Sequence, residues 1–287
     1  MALTSTSTLL EHINPHKRDS NIIFEEKEHK YTICGEEGYT SVTTWIHTHF
    51  GHFDADAIIT TMMSSKKWTS SPYYNKTREE IKAEWDKNRD EAANAGTQLH
   101  YAIECYYNNV INDVIDDVKV QDSKVQDSKV QDSKVQDSKE YNYFMNFVKS
   151  NPQLKPYRTE WMVYHEDIKI AGSIDMVYEN PDGTLMIYDW KRSKEIKKTP
   201  SFDKYSTTDC ISHLPDTNFW HYSLQLNIYK AILQEKYGKI VTDLYLVGLH
   251  PDNKNNNYIL LKVPDLQNEI KDLFELRKTQ IISNSII

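Results

Sequence analysis

The stretch from Ala171 to Ser193, AGSIDMVYENPDGTLMIYDWKRS, constrains the fold more than any other part of the chain. Two mostly apolar runs flank NPDG, a strong turn signal, so they read as a β-hairpin over about 168–179 and 184–192. A further strand pattern, YRTEWMVYH, precedes them at about 157–165. A long helical pattern, NFWHYSLQLNIYKAILQEKYG, follows from Asn218 and ends at Gly238 as C-cap. VTDLYLVGLH and NYILLKV read as two more strands, and DLQNEIKDLFELRKTQII as a last amphipathic helix. Strands interleaved with helices in this order imply an α/β fold with a mixed central sheet flanked by helices. Yet the hairpin carries Asp175, Asp189 and Lys191 where a core strand calls for apolar residues.

Upstream, IIFEEKEHKYTICG, from Ile22 to Gly35, predicts a small hairpin turning near Glu28, and SVTTWIHTHFGHFD opens a short helix. TREE, from Thr77 to Glu80, is a capping box. The helix it starts runs to about Asn108, with Ile81, Trp85, Ala92, Leu99 and Ile103 at helical spacing. VQDSK then repeats four times from Val120 to Lys139. A five-residue period advances roughly 140° per unit on a helix, so its valines spread around the axis and form no stripe. The repeat reads as a solvated insertion. YNYFMNFVKSN resumes helical spacing and stops before Pro152. The expected organisation is an N-terminal segment, 1–75, with its hairpin packed on a core of 76–287 that the repeat interrupts at 120–139.

Composition narrows the class. With 39% hydrophobic and 26% charged residues among 287, the chain reads as globular and long enough for a sizeable core. Cys34, Cys105 and Cys210 stand far apart, too few for a four-cysteine metal site and in keeping with a reducing compartment. No apolar run approaches the ~18 residues of a membrane span, and the N-terminus lacks a signal-peptide pattern. The expectation is an intracellular protein that is not secreted and has no membrane partner. A net charge of -8 argues against phosphate binding by the chain as a whole. KRSKEIKK meets that objection locally, because Lys191, Arg192, Lys194, Lys197 and Lys198 are offset by Glu195 alone.

Along TLMIYDWKR, Leu185, Ile187, Asp189 and Lys191 share one face, with the two charges at the strand's exit. About 6.7 Å separates Asp189 from Lys191 along the strand, which lets both converge on one bound group. A tight turn at NPDG brings Asp175 near Asp189. Two carboxylates that close repel unless a proton or cation sits between them, and a hard divalent cation with oxygen ligands is the natural solution.

These residues resemble the PD-(D/E)xK nuclease signature: GSID supplies Asp175, and YDWK supplies Asp189, Trp190 and Lys191. AGTQLHYAIE, with Gly96 and His100, resembles the GxxxH helix motif of the RecB-like and lambda-type exonuclease branch. SLQLNIY, with Gln225 and Tyr229, resembles that branch's QxxxY motif, and Glu160 lies where a further acid often stands. FEEKEHKYTI and SVTTW resemble viral and phage members, which would place the protein in the cytoplasm or nucleus of a host cell. The resemblance implies a restriction-endonuclease-like core and a Mg²⁺- or Mn²⁺-dependent DNA nuclease with two ions. It implies Asp175 as bridging ligand, Asp189 and the Trp190 carbonyl on the first ion, and His100 and Glu160 on the second ion or its waters. Lys191 would orient or deprotonate the attacking water and stabilise charge developing on the phosphate, Gln225 would position Lys191 or that water, and Tyr229, Arg192, Lys194, Lys197 and Lys198 would hold DNA phosphates. An exonuclease acting on DNA ends in recombination, repair or genome processing is the leading expectation. The alternatives are a structure-selective endonuclease and a nucleic-acid-binding protein without turnover. The oligomeric state is open.

Overall fold

The computed structural model describes residues 9–112, 135–200 and 204–285, with backbone alone for 109–112, 284 and 285. Helices α1 (Leu9–Ile13), α2 (Val42–His47), α3 (Ala55–Met63), α4 (Arg78–Asn112), α5 (Lys139–Ser150), α6 (Asn218–Tyr237) and α7 (Gln267–Ser285) surround one sheet. Its strands are β1 (Ile22–Glu25), β2 (Lys30–Ile33), β3 (Glu36–Ser41), β4 (Lys155–His165), β5 (Ile170–Glu179), β6 (Leu185–Lys191), β7 (Val241–Gly248) and β8 (Ile259–Lys262).

The sheet is mixed, as expected, with path β1-β2-β3-β5-β6-β7-β8 and β4 paired to β5. β5 and β6 form the hairpin, with Gly183 at φ 81° in the NPDG turn, where a side chain would be strained. β6 and β7 run parallel, as the crossover through α6 requires. One sheet face packs on α2, α6 and α7, through residues such as Trp45, Ile187, Leu226 and Phe274. The other packs on α4 and α5, through Leu99, Ile103, Phe144, Phe147, Tyr188 and Trp190. α6 is buried around most of its circumference, so it lies within the molecule and not on its rim.

Local signals behave as the sequence predicts. The amide of Glu80 donates to Thr77 Oγ1 (3.2 Å) and the amide of Thr77 donates to Glu80 Oε2 (2.7 Å), both halves of the capping box. Gly238 closes α6 at φ 63°. Two features go beyond the sequence reading. β3 joins the sheet parallel to β5, pairing Thr40 with Ile170 and Ser41 with Ala171. The repeat also reaches into the fold: Ser138 of its last unit caps α5 by accepting from the Tyr141 amide (3.1 Å), and Val135 packs on the α4–α5 core. Val135 and Ser138 are thus engaged with the fold, while Gln136, Asp137 and Lys139 of the same unit are exposed, and 120–134 lies outside the described residues.

Candidate active site

A gap along one strand edge creates the site. β4 pairs with β5 along one edge from end to end. On the other edge, β3 takes Ile170 and Ala171, and β6 takes Met176 to Glu179. Gly172, Ser173, Ile174 and Asp175 are left without a strand partner there. One step past the last β5–β6 pair, Met176 with Tyr188, the register sets Asp175 opposite Asp189. The strands have parted at this point, and the Trp190 amide donates to Asp175 Oδ2 (2.9 Å) in place of a backbone carbonyl.

Four elements converge on this gap. α4 brings His100, whose Nε2 lies 2.8 Å from the Trp190 carbonyl oxygen. The carbonyl can only accept, so Nε2 donates, and Nδ1 faces Asp175 Oδ2 (3.6 Å) and Glu160 Oε1 (3.9 Å), where the neutral form of the ring would present its lone pair. β4 brings Glu160 at φ 43°, a left-handed residue between the paired Thr159 and Trp161. Such strain in a non-glycine strand residue costs of order 1–3 kcal/mol and persists where the surroundings enforce it. Ser173 donates to Glu160 Oε2 (2.9 Å) and fixes its carboxylate. β6 brings Asp189 and Lys191, paired at 2.7 Å with side chains only 3% and 16% exposed. α6 brings Gln225, its Oε1 3.4 Å from Lys191 Nζ, and the Tyr222 ring, 4.5 Å from the same ammonium.

The electrostatics are those of an acid cluster short of cations. Burial, then Asp175, pushes Glu160 up to about 8. Burial likewise pushes Asp189 above the usual carboxylate range, against the pull of Lys191. Burial disfavours charge on His100 and Lys191, yet neighbouring acids outweigh it and hold both above their ordinary values. His100, Glu160 and Asp175 each offer a ligand atom, all within 4.8 Å of one another, and form the one such group among the described residues. Two carboxylates and an imidazole nitrogen fit a divalent metal ion, which would relieve the repulsion that raises Glu160. Asp189 is outside that group, engaged with Lys191.

The sequence-predicted residues thus fall into two sets. His100, Glu160, Asp175, Asp189, Trp190, Lys191 and Gln225 come together. Tyr229 does not reach a surface: it is 3% exposed, with its hydroxyl against Gly172 and beside Gln225, so a DNA phosphate cannot approach it. Arg192 is tied to Glu140 (2.9 Å), Lys198 lies over the Phe219 ring (4.7 Å), and Lys194 and Lys197 stay at the surface. Four residues were not singled out for the site from sequence. Glu104, one turn from His100, adds to the charge that raises Glu160, and its i+4 spacing was the available signal. Ser173 and Tyr222 share faces with Asp175 and Gln225. Gly172 carries no local signal, because its constraint is the Tyr229 ring.

No curated protein matches the chain. A solved structure it resembles is that of a "Putative exonuclease" from Eubacterium rectale, at 12% identity and TM-score 0.34, covering 66% of this chain and 65% of that one. The chain thus spans just under two thirds of that protein, and a likeness this slight carries no argument about activity. The profile described as "PD-(D/E)XK nuclease superfamily" matches residues 70–283, a span that takes in every element converging on the gap. By that match over most of its length, the chain belongs to the PD-(D/E)XK nuclease superfamily.

Proposed function

We propose that this protein is a divalent-metal-dependent nuclease that hydrolyses phosphodiester bonds of DNA, acting as an exonuclease on DNA ends in recombination, repair or genome processing. The observation that carries the hydrolytic reading is the buried Lys191–Asp189 pair set beside the His100, Glu160 and Asp175 donors at the parted strands. The exonuclease half is supported by the resemblance of Gly96 with His100, and of Gln225 with Tyr229, to the exonuclease branch.

A bound divalent ion, Mg²⁺ or Mn²⁺, supplies charge neutralisation at the scissile phosphate and acidifies the attacking water. A nitrogen donor in the set favours Mn²⁺ of the two. Of the two ions implied by the resemblance, Asp189 and the Trp190 carbonyl would hold the first, and His100 and Glu160 would serve the second or its waters. The chain's own groups orient the reaction. Lys191, kept protonated by Asp189, donates to the phosphate oxygen on which negative charge builds. Gln225 and the Tyr222 ring fix that ammonium, so little reorganisation is needed. The Trp190 carbonyl fixes the His100 tautomer.

The test is cleavage of end-labelled linear DNA and closed circular DNA with Mg²⁺, Mn²⁺ or EDTA, for the wild type and Asp189→Ala. Metal-dependent loss of linear DNA alone, reduced at least 10³-fold by the substitution, is the expected result. Cutting of circles would make the protein an endonuclease. Binding without cleavage would leave a nucleic-acid-binding protein and overturn the proposal.

A further inference from the structure

Between Phe50 and His100 the chain leaves the body of the molecule and returns to it. Of residues 51–94 only Ile59 and Ile81 are buried, and both stand outside the two cores that pack the sheet. Among the described residues, the hydrogen bonds, ion pairs and ring contacts of 51–94 stay inside that segment or reach Thr97. α3 is stapled to the start of α4. Arg78 Nη1 donates to Thr60 Oγ1 (2.9 Å), Lys82 pairs with Asp56 (2.6 Å), and the Trp85 ring meets Phe53 (6.1 Å) and Tyr73 (6.0 Å). Below these contacts, residues 86–94 of α4 are exposed on every side. Ala92 is exposed with them, although it shares the helical spacing of the buried Ile81, Leu99 and Ile103. Local pairs such as Arg89 with Asp86 (2.8 Å) and Lys87 with Glu91 (3.8 Å) support this stretch. A helix that is polar all round and held by such pairs is one that bridges solvent between two bodies.

The two roots of the excursion flank the strand gap. At the first, buried Phe50 packs on the His221 ring of α6 (4.0 Å), one turn before Gln225. α6 begins beside the chain leaving β6, where Asn218 donates to the Glu195 carbonyl (2.7 Å) and to Ser193 Oγ (3.3 Å). At the second root, α4 re-enters the body at Leu99 and at His100, which bonds the Trp190 carbonyl. α2 and α6 cover one face of the sheet and α4 covers the other. The excursion therefore crosses from face to face at the end of the sheet where β6 exits, and it closes a loop of chain over Asp175, Asp189 and Lys191.

The opening beneath that loop is narrow. From Phe50 to Phe53 the chain spans at most about 11 Å. From Trp85 to His100 the helix rises about 22 Å. Phe53 meets Trp85, so the two legs converge at the top. One nucleic-acid strand fits such an opening, whereas the major groove of a duplex alone is about 12 Å wide. Acids and cations nearly balance over 51–94, so the segment offers no basic surface to a duplex backbone. We infer that residues 51–94 form an arch over the active site, and that the substrate enters beneath it as a single strand threaded from a free end. The inference rests on the nuclease reading and narrows its substrate to single-stranded ends.

The test opens the arch without removing it. A protease recognition sequence is inserted between Ser65 and Lys66, both exposed after α3, and is cut in the folded protein. The two pieces stay together, because β3 remains paired with β5 and α2 remains packed on α6. The staples between α3 and α4 are surface pairs and hold the opened arch only weakly. Before cutting, the protein is expected to degrade linear single strands, to spare circular ones, and to act at least about tenfold more slowly on a blunt duplex. After cutting, the rate on circular single strands should rise at least about tenfold. Circles degraded by the intact protein, or circles still spared by a cut protein that degrades linear strands, overturn the inference. A second measurement uses the wild type in EDTA, bound to a single strand with biotin at both ends that is then capped with streptavidin. The capped complex should survive high salt that releases the uncapped one. Equal release of the two overturns the inference. A wild type that cleaves no nucleic acid but is trapped by the caps sinks the nuclease reading and leaves the arch standing.

Discussion

Lys191 and Asp189 stabilise each other's charge where water scarcely reaches, with side chains 16% and 3% exposed. Removing one partner of such a buried pair leaves the other uncompensated and costs about 3–5 kcal/mol, whereas replacing both by neutral groups is far milder. Lys191→Met is therefore expected to destabilise the protein strongly. The double variant Asp189→Asn with Lys191→Met is expected to regain most of that loss in urea denaturation while remaining inactive. A double variant no more stable than the single one would show that the pair is not the unit described. Gly96, one turn before His100, has nothing within 4 Å of where its Cβ would stand. Packing within the described chain does not account for that glycine.

At the scale of elements, the site depends on how three strands share the edges of β5. β3 and β6 stop short of one another, and Tyr229 of α6 fills the opening at Gly172, where a Cβ would stand 2.7 Å from the Tyr229 hydroxyl oxygen. That ring is buried and cannot swing aside. Gly172→Ala is expected to push α6 away from β5, at a cost of about 1–3 kcal/mol in thermal or urea unfolding. Because α6 also carries Gln225 and Tyr222, activity should fall with stability. Tyr229→Phe removes the atom nearest the new methyl group, so it should recover part of the loss. If Gly172→Ala unfolds like the wild type, the close approach does not constrain α6. The strained Glu160 belongs to this scale as well, since it lies between residues held by β5 on both sides.

For the whole molecule, the raised carboxylates link metal, pH and stability. Glu160 has an ordinary value of 4.5 and is pushed up to about 8, so between those values the folded chain holds a proton that the unfolded chain has released. Stability then falls as pH rises across that window, and Asp189, also shifted upward, adds in the same direction. In EDTA these two groups lower the Tm as the pH goes from 6 to 8. A divalent ion needs the deprotonated ligands and releases their protons on binding. Mn²⁺ should therefore raise the Tm more at pH 8 than at pH 6, and Glu160→Gln should flatten both trends. A larger Mn²⁺ effect at pH 6 would contradict the assignment of Glu160 as a ligand. Among the described residues no helix is long and apolar enough to cross a membrane.

What the sequence alone determined is local. The mostly apolar runs around NPDG, the TREE box and Gly238 set the strands, the turn and the helix ends, because each depends on residues a few positions apart. The same near neighbours made Asp175, Asp189 and Lys191 stand out, as charges on strands that should be apolar. Only the tertiary structure decided the contacts between distant parts of the chain. His100 reaches the Trp190 carbonyl across 90 residues, and β3 joins β5 through Thr40 and Ile170. Tyr229 turns inward to Gly172 although its helical spacing from Gln225 matched a surface role, because a helix buried around most of its circumference has little outer face to offer. The left-handed turn of Glu160 follows from flanking pairs that no local propensity encodes.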